Sequence, residues 1–124
     1  MDLSPKRFAD TVVVAPAGRI DQSNVAAFGA ALAPVLAACA PGKDRVILDC
    51  ARLEFISSAG LRILMLAARQ TKAQQGCLIV SGLSPLVQEI FQISRFTMIF
   101  DIVPTLRDAL AKASPAALAE LDKA

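Results

Sequence analysis

The chain has 124 residues, 55% of them hydrophobic and 19% charged, with 13 basic against 11 acidic side chains for a net charge of +2. That composition fits a single domain spanning 1–124 and is too apolar for a disordered chain. Its scattered charges, with neither Trp nor Tyr present, exclude the basic face and stacking aromatics of a nucleic-acid binder.

Residues 1–7 have no long apolar stretch behind the basic pair Lys6-Arg7, so they do not read as a signal peptide. Residues 6–10 are a candidate short strand. The β-branched run at 11–17, closed by Gly18, predicts a longer one. Pro16 near its end suits an edge or a bulge. Asp21-Gln22-Ser23-Asn24 is rich in helix-capping types. Val25, Phe28, Leu32, Val35 and Cys39 then recur at steps of three and four, the spacing of one apolar helix face. Pro34 should kink or split this helix, and Pro41-Gly42 ends it.

Residues 45–50 form a continuous apolar strand of the kind covered on both faces, and residues 51–54 read as a short loop. A helix follows from about residue 60 to residue 75, with Leu61, Leu64, Ala67 and Ala68 on one side and Gly76 closing it. Residues 77–81 predict another strand. Ser84 caps a further helix with Pro85 in its first position, Val87, Ile90, Phe91 and Ser94 sharing a face. Residues 98–103 predict the last strand. Thr105 and Asp108 make a capping-box-like start to a helix through Lys112. At Ser114-Pro115 one more short helix starts, or the tail at 113–124 frays. The order β-α-β-α-β-α-β-α with short loops predicts an α/β fold, with a largely parallel sheet and helical crossovers.

The chemistry available is narrow. Histidine is absent, which excludes a His-based triad, imidazole acid–base catalysis and His-ligated zinc. There is no dinucleotide-binding or Walker glycine loop. The acids Asp21, Asp49, Glu54, Glu89 and Asp101 are dispersed, without a paired-carboxylate or metal-ligand pattern. The sequence thus predicts no enzyme, no cofactor and no metal. Cys39, Cys50 and Cys77 are odd in number, widely spaced and set in apolar runs. They read as buried free thiols, which suit a reducing cytoplasm. The longest apolar segment, 63–68, is too short to span a bilayer, so no membrane insertion is expected.

What remains is Ser57-Ser58-Ala59-Gly60-Leu61, between a strand end and a helix start. A serine there reads first as a plain N-cap. It also reads as a phosphoacceptor, because a helix N-terminus favours an anion.

Gly18-Arg19-Ile20-Asp21, the strand at 46–50, the run Phe55-Ile56-Ser57-Ser58-Ala59-Gly60-Leu61-Arg62 and the segment from Gly82 through the last helix resemble a STAS domain over roughly residues 8–112. The resemblance implies a mixed, mostly parallel sheet with helical crossovers. Stand-alone members resemble anti-sigma factor antagonists. In that scheme the unphosphorylated antagonist binds an anti-sigma factor that is also a serine kinase, with a histidine-kinase-like ATPase fold, and thereby frees the sigma factor. Phosphorylation of one serine ends binding, and a PP2C-like phosphatase restores it. The family's acceptor, two positions before the glycine, maps to Ser58, with Ser57 as the fallback. Many members carry an acid where Ser57 stands, and Ser or Thr where Ala59 stands. The resemblance implies partner contacts at Asp21, Ser57, Ala59, Gly60 and Leu61, and Asp21 reads equally as a helix cap. The alternative is a STAS accessory subunit without a phosphorylation cycle, docked on the ATPase of a membrane lipid-transport complex.

Overall fold

The computed structural model describes residues 1–123. Five strands form a mixed sheet: β1 (Lys6–Phe8), β2 (Thr11–Val14), β4 (Arg45–Asp49), β6 (Leu78–Ser81) and β7 (Asp101–Val103), side by side in that order. Only β1 runs antiparallel to its neighbour. The parallel strands alternate with α1 (Val25–Ala37), α2 (Ser58–Ala73) and α3 (Pro85–Ile93), and α4 (Leu106–Ala113) and α5 (Pro115–Lys123) follow. The predicted α/β class and crossovers are therefore present.

The two faces of the sheet explain the uninterrupted apolar strands. Val12, Val14, Val46, Leu48 and Val80 point into one core with Phe28 and Leu32 of α1, Leu64 of α2 and Phe91 of α3. Their alternates Val13, Ile47 and Ile79 point into a second core with Ala109, Leu110 and Ala117 of α4 and α5. Parallel strands laid down in one direction through right-handed crossovers place every connecting helix on the same face. The opposite face would stay wet without α4 and α5. Residues 115–123 accordingly fold as a helix with Ala117 fully buried, rather than fraying.

Several elements differ from the sequence expectation. Short strand β3 (Gly18–Ile20) pairs in parallel with β5 (Leu53–Ile56), where the sequence suggests a strand end and a loop. Only Ile20, Leu53 and Ile56 of this ribbon are fully buried, too few positions to give a periodic signal. Pro16 sits beyond the end of β2, which is an interior strand rather than an edge. Helix α1 runs through Pro34. The carbonyl that Pro34 leaves without a partner belongs to Ala30, and both residues are exposed, so that carbonyl is not buried without a partner and the helix can continue.

Helix α2 ends in a Schellman motif, but its left-handed residue is Gln75 (φ 56°) and not Gly76. The Gln75 N–H donates to the Lys72 carbonyl and the Gly76 N–H to that of Thr71. Gly76 is required for another reason: a Cβ there would lie 2.3 Å from Cys39 Sγ. The last strand is shorter than predicted. Arg95 (φ 60°) ends α3, a 3-10 turn covers Phe96–Met98, and Phe91, Phe96 and Phe100 pack together with ring centroids 5.5–6.1 Å apart. Among the described residues, no helix is long and apolar enough to cross a membrane.

Cys39 and Cys50 are buried free thiols as expected, whereas Cys77 is half-buried. Burial, helped by Asp49, pushes the Cys50 thiol up to about 12, so it stays protonated at neutral pH. Ellman's reagent should therefore modify Cys77 first and leave Cys50 silent until the protein unfolds. Labelling of Cys50 as fast as Cys77 in native buffer would show that the sheet opens there.

Candidate functional site

The candidate site is built where the β3–β5 ribbon hands over to α2. Ile20 and Ile56 are register partners, and the Ser57 N–H donates to the Ile20 carbonyl at 2.9 Å. The chain segments leaving the two strands, Asp21 onward and Ser57 onward, therefore start side by side. Behind them, Arg19 stacks its guanidinium 4.3 Å from the centre of the Phe55 ring, a cation–π contact that ties the exposed side of the ribbon together.

Helix α2 begins at Ser58, two residues earlier than the sequence suggests. Its N-cap is Ser57, in extended conformation (φ −79°, ψ 170°), whose hydroxyl oxygen accepts the Gly60 N–H at 3.3 Å. Ser58 is the first helical residue and is exposed. The capping role thus falls to Ser57 and not to Ser58. Ser57 is half-buried and engaged in the cap, while the Ser58 hydroxyl has no hydrogen bond among the described residues and faces solvent beside the N–H groups of the helix start.

Gly60 is buried, and the reason is steric. A Cβ would fall 2.7 Å from Ile56 Cγ1 and 2.9 Å from Ile20 Cγ2. The glycine lets α2 rest directly on the ribbon, so it shapes the surface from beneath rather than presenting itself on it. Ala59 and Leu61 are half-buried, and Leu61 packs against the main core.

Asp21 is not the cap of α1; that position is Asn24, whose side chain makes no capping bond. Asp21 Oδ1 instead accepts the Ser23 N–H at 3.0 Å and the Ser23 hydroxyl at 2.6 Å, an Asx turn. Asn24 closes the same loop, donating to the Arg19 carbonyl at 2.7 Å and accepting the Asp21 N–H at 2.9 Å. The Ser23 hydroxyl, its N–H and then Arg19 hold the Asp21 carboxyl below its usual range. A depressed carboxylate stabilises the fold above its unfolded pKa and ceases to do so as pH falls through the folded one. The turn is therefore intact at neutral pH and loosens only in acid. Among the described residues, no three Cys, Asp or Glu side chains gather as metal ligands.

A sequence profile described as "Mlab, STAS domain" matches residues 6–104, which include the whole ribbon and α2. The chain belongs to the STAS domain family. A protein of Bordetella bronchiseptica assigned as the anti-sigma factor antagonist BtrV is 37% identical over 118 residues, covering 95% of this chain and 98% of its own. An anti-sigma factor antagonist from Mycobacterium paratuberculosis superposes with a TM-score of 0.79 at 25% identity, over 88% of this chain and 90% of that one. The Bacillus cell fate determinant SpoIIAA, solved in its phosphorylated form, shares the fold with a TM-score of 0.67 at 22% identity, over 90% and 98%. The Bordetella and Mycobacterium relatives are thus both assigned as anti-sigma factor antagonists.

The geometry separates the two serines energetically. Ser57→Ala removes an N-cap and should cost about 0.5–2 kcal/mol, whereas exposed Ser58→Ala should stay within about 0.5 kcal/mol of wild type. Gly60→Ala should be net destabilising, because overpacking of about 1–3 kcal/mol exceeds the roughly 1 kcal/mol that alanine adds to a helix. Urea unfolding of the three variants checks the order; equal losses for Ser57→Ala and Ser58→Ala would contradict this assignment of the cap.

Proposed function

We propose that the protein is an anti-sigma factor antagonist. In its unphosphorylated form it binds an anti-sigma factor that is also a serine kinase of the histidine-kinase-like ATPase type. The observation that carries this reading is the exposed Ser58 hydroxyl at the first position of α2, with the cap supplied by Ser57. The kinase transfers the γ-phosphoryl group of ATP to Ser58 Oγ; the hydroxyl proton is lost and ADP leaves. A PP2C-like phosphatase hydrolyses the ester and resets the module. Asp21, Ser57, Ala59 and Leu61 form the partner surface around the acceptor, and Gly60 sets its height. The assignment of BtrV, similar along nearly the whole chain, and the phosphorylated state known for SpoIIAA both support this reading.

Magnitudes favour a binding switch over an unfolding switch. The phosphate adds roughly −1.5 to −2 charges. At the start of α2 the helix dipole stabilises such a charge by about 0.3–1 kcal/mol. Enclosed at an interface without a matched cation, the same charge meets a desolvation penalty of several kcal/mol. About 4 kcal/mol is already a thousandfold loss of affinity. Because Ser57 keeps the cap, the modification does not remove it.

The test is incubation with the candidate kinase and ATP, then mass spectrometry of the peptide containing Ser57 and Ser58. Phosphate on Ser58 is expected; phosphate on Ser57 would move the acceptor. Ser58→Asp should lose partner binding by at least a hundredfold while its circular dichroism stays native. Copurification of a transport ATPase with no phosphate on either serine would instead identify a non-phosphorylated accessory subunit of a lipid-transport complex.

A further inference from the structure

An open groove of about 810 Å³ lies between the C-terminal half of α2, the start of β6 and the turn that leads into β7. It is separate from the Ser58 surface: along α2 its lining begins at Met65, about 10 Å of helix beyond Ser58, and its cations start at Arg69, about 16 Å beyond. Its volume falls within the roughly 300–1,000 Å³ of small-molecule sites.

The lining has two characters. Met65, Ala68, Leu78 and Phe100 supply an apolar floor. Met98 and Ile99 stand at the rim, 83% and 49% exposed. An exposed methionine on a turn is an adaptable apolar contact, since its unbranched thioether repacks readily around a guest. On the α2 side the rim carries Arg69 and Lys72, one helical turn apart. Among the described residues neither has an ion-pair partner, and α2 contains no acid to neutralise them. Asp101, the carboxylate that lines the groove, is engaged by Lys112 at 2.9 Å. The Thr71 hydroxyl is spent on the Ala67 carbonyl of its own helix. Two cations without ion-pair partners beside an open, partly apolar groove suit an anionic head on an apolar chain.

We propose that this groove binds a long-chain carboxylate, with the head paired to Arg69 and Lys72 and the chain lying over Met65, Leu78 and Phe100 beneath Met98. The site is independent of the acceptor serine and of any kinase.

The test uses the full chain and fluorescent cis-parinaric acid, with hexadecanoate and its uncharged methyl ester as competitors. Saturable 1:1 binding of parinarate is expected, displaced by hexadecanoate and at least tenfold less well by the methyl ester. The double variant Arg69→Glu/Lys72→Glu, whose changes are on an exposed helix face, should weaken binding by roughly tenfold or more, the loss typical of removing charge-assisted contacts. Ser58→Ala should bind as wild type. Equal competition by the methyl ester, or unchanged binding in the double variant, would overturn the proposal, and so would the absence of saturable binding. A separate arm measures cosedimentation with phosphatidylglycerol vesicles. Binding to vesicles without binding of monomeric parinarate would assign the cations to a membrane surface and also overturn it.

Discussion

The approach of α2 to the β3–β5 ribbon governs the geometry of the site. It is possible only because Gly60 has no side chain. Ile20 and Ile56, paired across the ribbon, occupy the space that a Cβ would need. With the helix seated there, its first turn is fixed relative to both strand ends. The Ser57 N–H reaches the Ile20 carbonyl, and the Ser57 hydroxyl turns inward to the Gly60 N–H. Ser58, one residue further round, is left outside. The cap at Ser57, the exposure of Ser58 and the close approach at Gly60 all follow from one contact between backbone and two β-branched side chains.

That contact in turn depends on the two-sided core. Helices α1 to α3 cover one face of the sheet, and α4 with α5 covers the other. A sheet buried on both faces holds its strands in fixed register, because a slip of one residue would exchange every side chain between the cores. The ribbon lies outside this sheet, joined to it through short connections and the main core. It can present a surface loop on a rigid support without interrupting the ladder. At the far end of α2, Gln74 donates to the Leu36 and Cys39 carbonyls at 2.9 and 2.6 Å. Helix α2 is therefore fixed at both termini, by Gly60 packing at one and by the end of α1 at the other.

Electrostatics distinguishes the two ends as well. The N-terminal end offers free N–H groups and an uncapped hydroxyl, with Asp21 committed to its own turn. The C-terminal half carries Arg69 and Lys72 beside an open, partly apolar groove. One helix thus joins two surfaces of different chemistry, and a rigid helix keeps their separation constant.

Much of this was legible in the sequence where the signal is local. The alternating order of strands and helices, the caps at Ser84 and Thr105, and the absence of histidine chemistry all rest on neighbouring residues, and the two caps are formed as read, at 3.4 and 3.1 Å. The hydroxyl beside a helix start could also be placed, and the family could be suspected from the run around Gly60. The tertiary structure decided what depends on residues distant in the chain. It gave the cap to Ser57 and left the Ser58 hydroxyl exposed. It traced Gly60 to Ile20 and Gly76 to Cys39, where the family resemblance implied a partner contact and the sequence a helix end. It paired Gly18–Ile20 with Leu53–Ile56. The physical reason is common to all three: steric exclusion and strand pairing act between elements that meet only after folding, and no local pattern of residue types records which side chain will stand opposite.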